Sequence, residues 1–305
     1  MSSLPVVAQT AGPSAARAAA RNPRRKATGG ATRRPRWVTY TILGIVLAIS
    51  IFPLYFTLVL GSSTPEEISR SALPQLLPDA SLFTQFAEVV GSNAINFWKA
   101  FANSVIIAVV TSASVVLFST LAGYSFAKLR FRGRGPLLVF IIATMAVPTQ
   151  LGVVPLFILM SEFGWIGTLQ AVIVPALVTA FGVFWMTQYL SEALPYELIE
   201  AARVDGASMF RTFWSIALPA ARPAAAMLAL FTFVQQWTNF FWPSIVLSQS
   251  NPTLPLVVRS LQANYFIDYS LVMAGVFLVT LPLLVIFLFT GRQLVAGIMQ
   301  GAVKG

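Results

Sequence analysis

Residues 37–60 read WVTYTILGIVLAISIFPLYFTLVL, a run of roughly 24 residues without a single charge. At about 1.5 Å per residue a helix of that length crosses a hydrocarbon core about 30 Å thick. Residues 1–36, on its N-terminal side, are rich in Ala, Arg, Pro, Ser and Thr and carry eight Lys/Arg, ending in Arg33, Arg34 and Arg36. So polar a segment buries too little apolar surface to offset chain entropy, and it is expected to be a disordered basic tail. A secretory leader also starts basic, but its apolar core is only about 7–15 residues long. The run from Trp37 is therefore read as an uncleaved first membrane helix.

Working outward from it, five further apolar spans lie near 101–127, 136–160, 166–190, 219–247 and 270–291. In lipid the backbone must satisfy its own hydrogen bonds, and helices do so. The spans are too long and continuous for barrel strands, which alternate over about ten residues. The expected fold is all-α and integral to the membrane: six transmembrane helices over 37–291, with a short C-terminal tail at 292–305. Pro148, Pro155, Pro175, Pro243 and Pro282 fall inside spans and interrupt their hydrogen-bond ladders.

The 305 residues are 57% hydrophobic and 10% charged, against about 25% charged in soluble domains. The chain has no Cys and no His. That removes disulfides, thiolate or imidazole metal sites, and Ser-His-Asp or Cys-His catalytic sets. The net charge of +10 follows from where the basic residues fall. With the N-terminus in the cytoplasm, the inner segments carry eight, four (Lys128, Arg130, Arg132, Arg134), three (Arg203, Arg211, Arg222) and two (Arg292, Lys304). The outer loops carry only Arg70, Lys99 and Arg259. This positive-inside bias places both termini and the 191–218 loop in the cytoplasm, and accounts for the charge without nucleic acid.

The 191–218 loop holds Glu200-Ala201-Ala202-Arg203-Val204-Asp205-Gly206 and then Ile216-Ala217-Leu218-Pro219. Leu194-Pro195-Tyr196-Glu197 reads as a helix start, proline being tolerated at the first helical position. Glu197 and Glu200 suit the positive end of the helix dipole. Leu198, Ala201 and Ala202 share a face at i, i+3, i+4 spacing, and two adjacent alanines flatten it for close approach by another protein. Gly206 suits a left-handed cap, and Ser208 caps a second helix through Met209, Phe210, Phe213 and Trp214. Physical chemistry alone also allows an amphipathic interfacial hairpin.

The spacing E-A-A-x3-G-x9-I-x-L-P, with AGYSFAKLRFRG at 122–133, AVPTQ at 146–150, VPLF at 154–157, FGVF at 181–184, WPSIVL at 242–247, TLPL at 253–256 and GAVKG at 301–305, resembles MalG-type permease subunits of bacterial carbohydrate ABC importers. The resemblance runs from about residue 37 to the C-terminus. It implies a heterodimer with a homologous second permease in the bacterial cytoplasmic membrane, two copies of a cytoplasmic ATPase, and an extracytoplasmic sugar-binding protein. Glu200, Ala201, Ala202, Gly206, Ile216, Leu218 and Pro219 then form the ATPase-docking loop. ATP and Mg belong to the partner ATPase, since this chain has no phosphate loop, and it is not itself an enzyme. The resemblance also gives Val303 and Lys304 an ATPase contact, and Asn251, Pro252, Thr253, Leu254 and Pro255 a loop that probes the binding protein.

Polar residues within apolar spans are often functional. Gln188, near the end of its span, is read as interfacial, whereas Asn103, Ser104 and Gln150 qualify. So does the cluster Gln235, Gln236, Trp237, Asn239 and Trp242, whose amides and indoles suit sugar hydroxyls and C–H faces; interhelical hydrogen bonding is the alternative for each. Family members often carry an acidic residue where this chain reads Trp237-Thr238-Asn239-Phe240, so a role resting on that acid does not transfer. An ion-coupled transporter usually has ionisable groups at membrane depth, and no Asp or Glu falls within a span here. Asp268-Tyr269-Ser270-Leu271 and residues 292–298 resemble permeases for β-glucosides such as cellobiose; other di- and oligosaccharides stay open.

Overall fold

A computed structural model describes residues 37–70, 75–92, 95–263 and 267–302. The basic tail 1–36 and Val303 and Lys304 lie outside them. Among the described residues all regular structure is helical, without a strand. The helices are α1 (Trp37–Gly61), α2 (Pro65–Arg70), α3 (Ser81–Gly91), α4 (Phe97–Lys128), α5 (Arg134–Thr144), α6 (Val153–Glu162), α7 (Gln170–Ile173), α8 (Ala180–Ala193), α9 (Tyr196–Val204), α10 (Met209–Thr212), α11 (Leu218–Trp237), α12 (Phe241–Val246), α13 (Leu254–Gln262) and α14 (Tyr269–Ala302).

Five spans are long and apolar enough to cross a membrane: 37–61, 97–128, 170–193, 209–237 and 269–291. A sixth is formed if α5 and the helical stretch Thr149–Glu162, bent by 89°, count as one. The break has a local cause. Pro148 brings no N–H, and Met145, Ala146 and Val147 close tight turns onto Ile142, Ala143 and Thr144 at 3.0, 3.1 and 3.2 Å.

The fifth span also differs from the expected continuous run over 219–247. The helix stops at Trp237, and α12 begins only at Phe241. Pro243 cannot donate to the Asn239 carbonyl, so the ladder cannot pass that point. At the other end of α11, a π-helical turn over Phe213–Ala217 joins it to α10. Pro219 and Pro223, both without N–H, follow directly. The fourth span is irregular near Pro175 and restarts at Thr179, whose hydroxyl accepts from the Gly182 N–H at 3.0 Å. Asp268 starts α14 by accepting from the Ser270 and Leu271 N–H groups at 2.9 and 3.1 Å.

Helix α4 is the centre of the packing, with α8 and α11 against it. Small residues let it come close to α8. A Cβ on Gly123 would lie 2.7 Å from the Met186 carbonyl carbon, and one on Gly182 would lie 2.3 Å from the Ser119 hydroxyl. The Ser114 hydroxyl donates to the Leu177 carbonyl at 3.0 Å, and Lys128 Nζ to that of Ser191 at 3.0 Å. Both pairs are offset by 63 residues, so α4 and α8 run parallel. Helix α11 runs the other way: Phe101 meets Trp237 at one end of α4, and Tyr124 meets Phe213 at the other.

Candidate functional site: the interhelical hairpin and the polar residues of the far end

The chain between α8 and α11 folds as a helical hairpin, as its sequence predicts. Pro195 takes φ −59°, ψ 142°, one position before the first helical residue, Tyr196. Glu197 sits in the first turn of α9 and Arg203 in the last, each at the helix end that suits its charge. Gly206 has φ +77°. Its N–H donates to the Arg203 carbonyl at 3.0 Å, and that of Ala207 to Ala202 at 2.9 Å, a paired closure that satisfies the last carbonyls of α9. The Ser208 hydroxyl then caps α10 by accepting from the Arg211 N–H at 3.2 Å.

The hairpin has an inner and an outer face. Inward, Leu194, Ile199, Phe213 and Ala217 are buried in a core with Tyr124, Met186 and Leu190. Ala202 is also buried, at 8% exposure. Ile216, Leu218 and Pro219 are half-buried, the first two packed against this core. Outward stand Glu200, Ala201 and Gly206, with Leu198, Val204 and Phe210 at 49, 87 and 66% exposure. The two adjacent alanines thus face different ways, as 100° per residue requires. Val204 is the most exposed apolar residue of the hairpin. The sequence reading did not single it out, although it lies three residues beyond Ala201, on the same helical stripe.

At the far end, the amide of Gln235 is exposed and Gln236 half-buried; Asn239 Nδ2 donates to Gln236 Oε1 at 3.5 Å. Trp237 is 2% exposed, stacked on Phe233 with centroids 5.6 Å apart, and its indole N–H donates to the Val279 carbonyl at 3.2 Å. The Trp242 indole donates to Ala171 at 2.9 Å. Both indoles therefore join helices to one another. A cleft of about 580 Å³ opens beside Trp237, walled also by Phe240, Arg259, Gln262, Val279 and Leu283.

Residues 251–255 are stapled into the bundle. Asn251 Nδ2 donates to the Gly167 carbonyl at 2.7 Å, Asn103 Nδ2 to the Pro252 carbonyl at 2.8 Å, and the Leu254 N–H to the Ser104 hydroxyl at 2.9 Å. Pro252, Thr253 and Leu254 are buried and Pro255 half-buried. Asn103 and Ser104, picked out as polar residues at the start of a span, thus hold this loop. No cluster of His, Cys, Asp or Glu suited to a metal occurs among the described residues.

Residues 116–294 match the family described as binding-protein-dependent transport system inner membrane component. The lactose transport system permease protein of Rhizobium radiobacter is 36% identical over 275 residues, 89% of this chain and 97% of the relative. The arabinooligosaccharides transport system permease protein of Halalkalibacterium halodurans is 32% identical over 271 residues, 88% of this chain and 96% of that one. A solved bacterial ABC transporter, involved in import of the acidic polysaccharide alginate, contains a chain that superposes with a TM-score of 0.70 at 21% identity, covering 84% of this chain and 94% of its own. The chain belongs to the binding-protein-dependent transport system inner membrane component family. It is a multi-pass membrane subunit of an ABC importer, a permease and not an enzyme.

Proposed function

We propose that this permease imports a di- or oligosaccharide, forms half of the translocation path with a homologous partner permease, and couples that path to two copies of a separate cytoplasmic ATPase through the hairpin of the 191–218 loop. The observation that carries the reading is the outer face of α9. Leu198, Ala201 and Val204 project from the subunit next to a glycine cap that no core contact demands: a Cβ on Gly206 would meet nothing within 4 Å. The relatives' named substrates, lactose and arabinooligosaccharides, support a short oligosaccharide. A β-glucoside such as cellobiose is the particular sugar we infer, from residues 268–271 and 292–298. The exposed Gln235 and half-buried Gln236 and Asn239 line the path in this reading, while Trp237 and Trp242 hold the helices that carry them. Both termini lie in the cytoplasm, where the ATPase contact inferred for Val303 and Lys304 would also fall. An extracytoplasmic binding protein delivers the sugar, near the stapled loop at 251–255.

Gly206→Pro tests the reading. Proline fixes φ near −65°, far from +77°, and deletes the N–H that closes on Arg203. Insertion into the membrane should persist, the ATPase should no longer co-purify, and uptake should fall to background. Normal transport by this variant contradicts the docking role.

A further inference from the structure

Lys128 is the last residue of α4, and its side chain is 8% exposed. Its ammonium donates to the Ser191 carbonyl at 3.0 Å. That carbonyl lacks a helical partner for a definite reason: in a continuing helix it would accept the N–H of residue 195, and residue 195 is proline. Lys128 supplies the missing donor from another helix. It brings a positive charge to the negative end of the α8 dipole. No carboxylate lies within 4 Å of it among the described residues. The charges acting on it are those of Arg134 and of Glu197, in the first turn of α9, so its one direct partner among the described residues is the open end of α8.

Two contacts at and just beyond this end of α4 reach the arms of the hairpin. The Arg130 guanidinium lies 5.9 Å from the centre of the Tyr196 ring, at the start of the first arm. The Tyr124 ring lies 6.0 Å from that of Phe213, in the second arm. The hairpin is therefore tied to a helix that is not its neighbour in sequence, and the tie at its root is Lys128.

We propose that Lys128 is a positioning residue of energy coupling: it pins α4 to the root of the hairpin, so that displacement of the hairpin carries α4 and α8 as one body. This inference rests on the hairpin being the ATPase dock. Lys128 is buried and bonded to α8, whereas Leu198, Ala201 and Val204 are exposed on α9. Removing its charge loosens the joint and leaves the dock in place.

The test uses the complete importer in proteoliposomes: this chain, its partner permease, the ATPase and the binding protein. Lys128→Met keeps the side-chain length and loses the donor; Lys128→Arg keeps the donor. For Lys128→Met the ATPase stays bound and hydrolysis stays within about twofold, while sugar moved per ATP falls about tenfold or more. Lys128→Arg regains at least about half of the loss. Unchanged sugar per ATP in Lys128→Met overturns the proposal, as does an equal fall in assembly, hydrolysis and uptake that Lys128→Arg does not relieve. A second measurement keeps Lys128 intact. The chain has no native cysteine, so spin labels go onto Arg132→Cys and Glu192→Cys, both exposed positions. Their separation should be the same with and without bound ATP, and a change beyond about 3 Å sinks the single-body claim. Uptake by the parental importer without any ATPase would sink the docking reading itself, a result the parental control reports separately.

Discussion

Gly123 shows at one residue why this bundle needs small side chains. A Cβ there would sit 2.7 Å from the Met186 carbonyl carbon and 2.9 Å from the Thr187 nitrogen, backbone atoms that cannot swing aside. Gly123→Ala is expected to cost about 1–3 kcal/mol through displacement of α4 from α8. Gly135→Ala is the control: nothing lies within 4 Å of that Cβ, and alanine in a helix is favoured over glycine by roughly 0.5–1 kcal/mol. Thermal unfolding of the two purified variants checks this; a lowered midpoint for Gly135→Ala and none for Gly123→Ala would contradict it. Single residues were unevenly legible in the sequence. Gly206 and Ser208 were, because a left-handed cap and a helix start each demand a residue type at one fixed place. Which alanine of Ala201-Ala202 faces outward was not. Helix α9 carries Leu198, Ile199, Ala201, Ala202 and Val204, apolar residues on both sides, and only Tyr124, Leu190 and Phe213 settle which side is core.

Among the elements, the spans were read correctly as helices, and those at 37–61, 97–128 and 269–291 are unbroken, but the runs through Pro148 and Pro243 are not continuous. Hydropathy averages over a window, and the residues around Pro148 and Pro243 are as apolar as those that continue a helix. The prolines marked the interruptions, but a break and a tolerated kink look alike in sequence. The loop over 251–255 is a second case. Its Asn-Pro-Thr-Leu-Pro composition reads as an exposed connection, yet Asn103 and Ser104, some 150 residues away, bind its backbone. The double variant Asn103→Ala/Ser104→Ala leaves the Pro252 carbonyl and the Leu254 N–H without these partners, at about 1–3 kcal/mol for each buried group. Amide hydrogen exchange over 254–257 should then accelerate by roughly tenfold or more. Unchanged protection would show that the loop is held by its buried side chains alone.

For the whole molecule, two independent lines describe the same path. The Lys and Arg counts alternate from loop to loop, which puts spans two and four in one direction and span five in the other. The packing agrees in parity: α4 and α8 are parallel with a constant offset of 63 residues, and α11 is antiparallel to α4. Parity fixes the hairpin and the 129–133 loop at one end of the bundle, where Arg130 meets Tyr196. Which end faces the cytoplasm rests on the charge bias, and the proposed coupling depends on it. The most direct measurement follows from the absence of native cysteines and the 87% exposure of Val204. Val204→Cys is treated with a membrane-impermeant maleimide in intact cells, in permeabilised cells, and in permeabilised cells stripped of the ATPase. The account predicts no labelling in intact cells, weak labelling after permeabilisation, and full labelling once the ATPase is removed. Labelling in intact cells, or labelling indifferent to the ATPase, would contradict it.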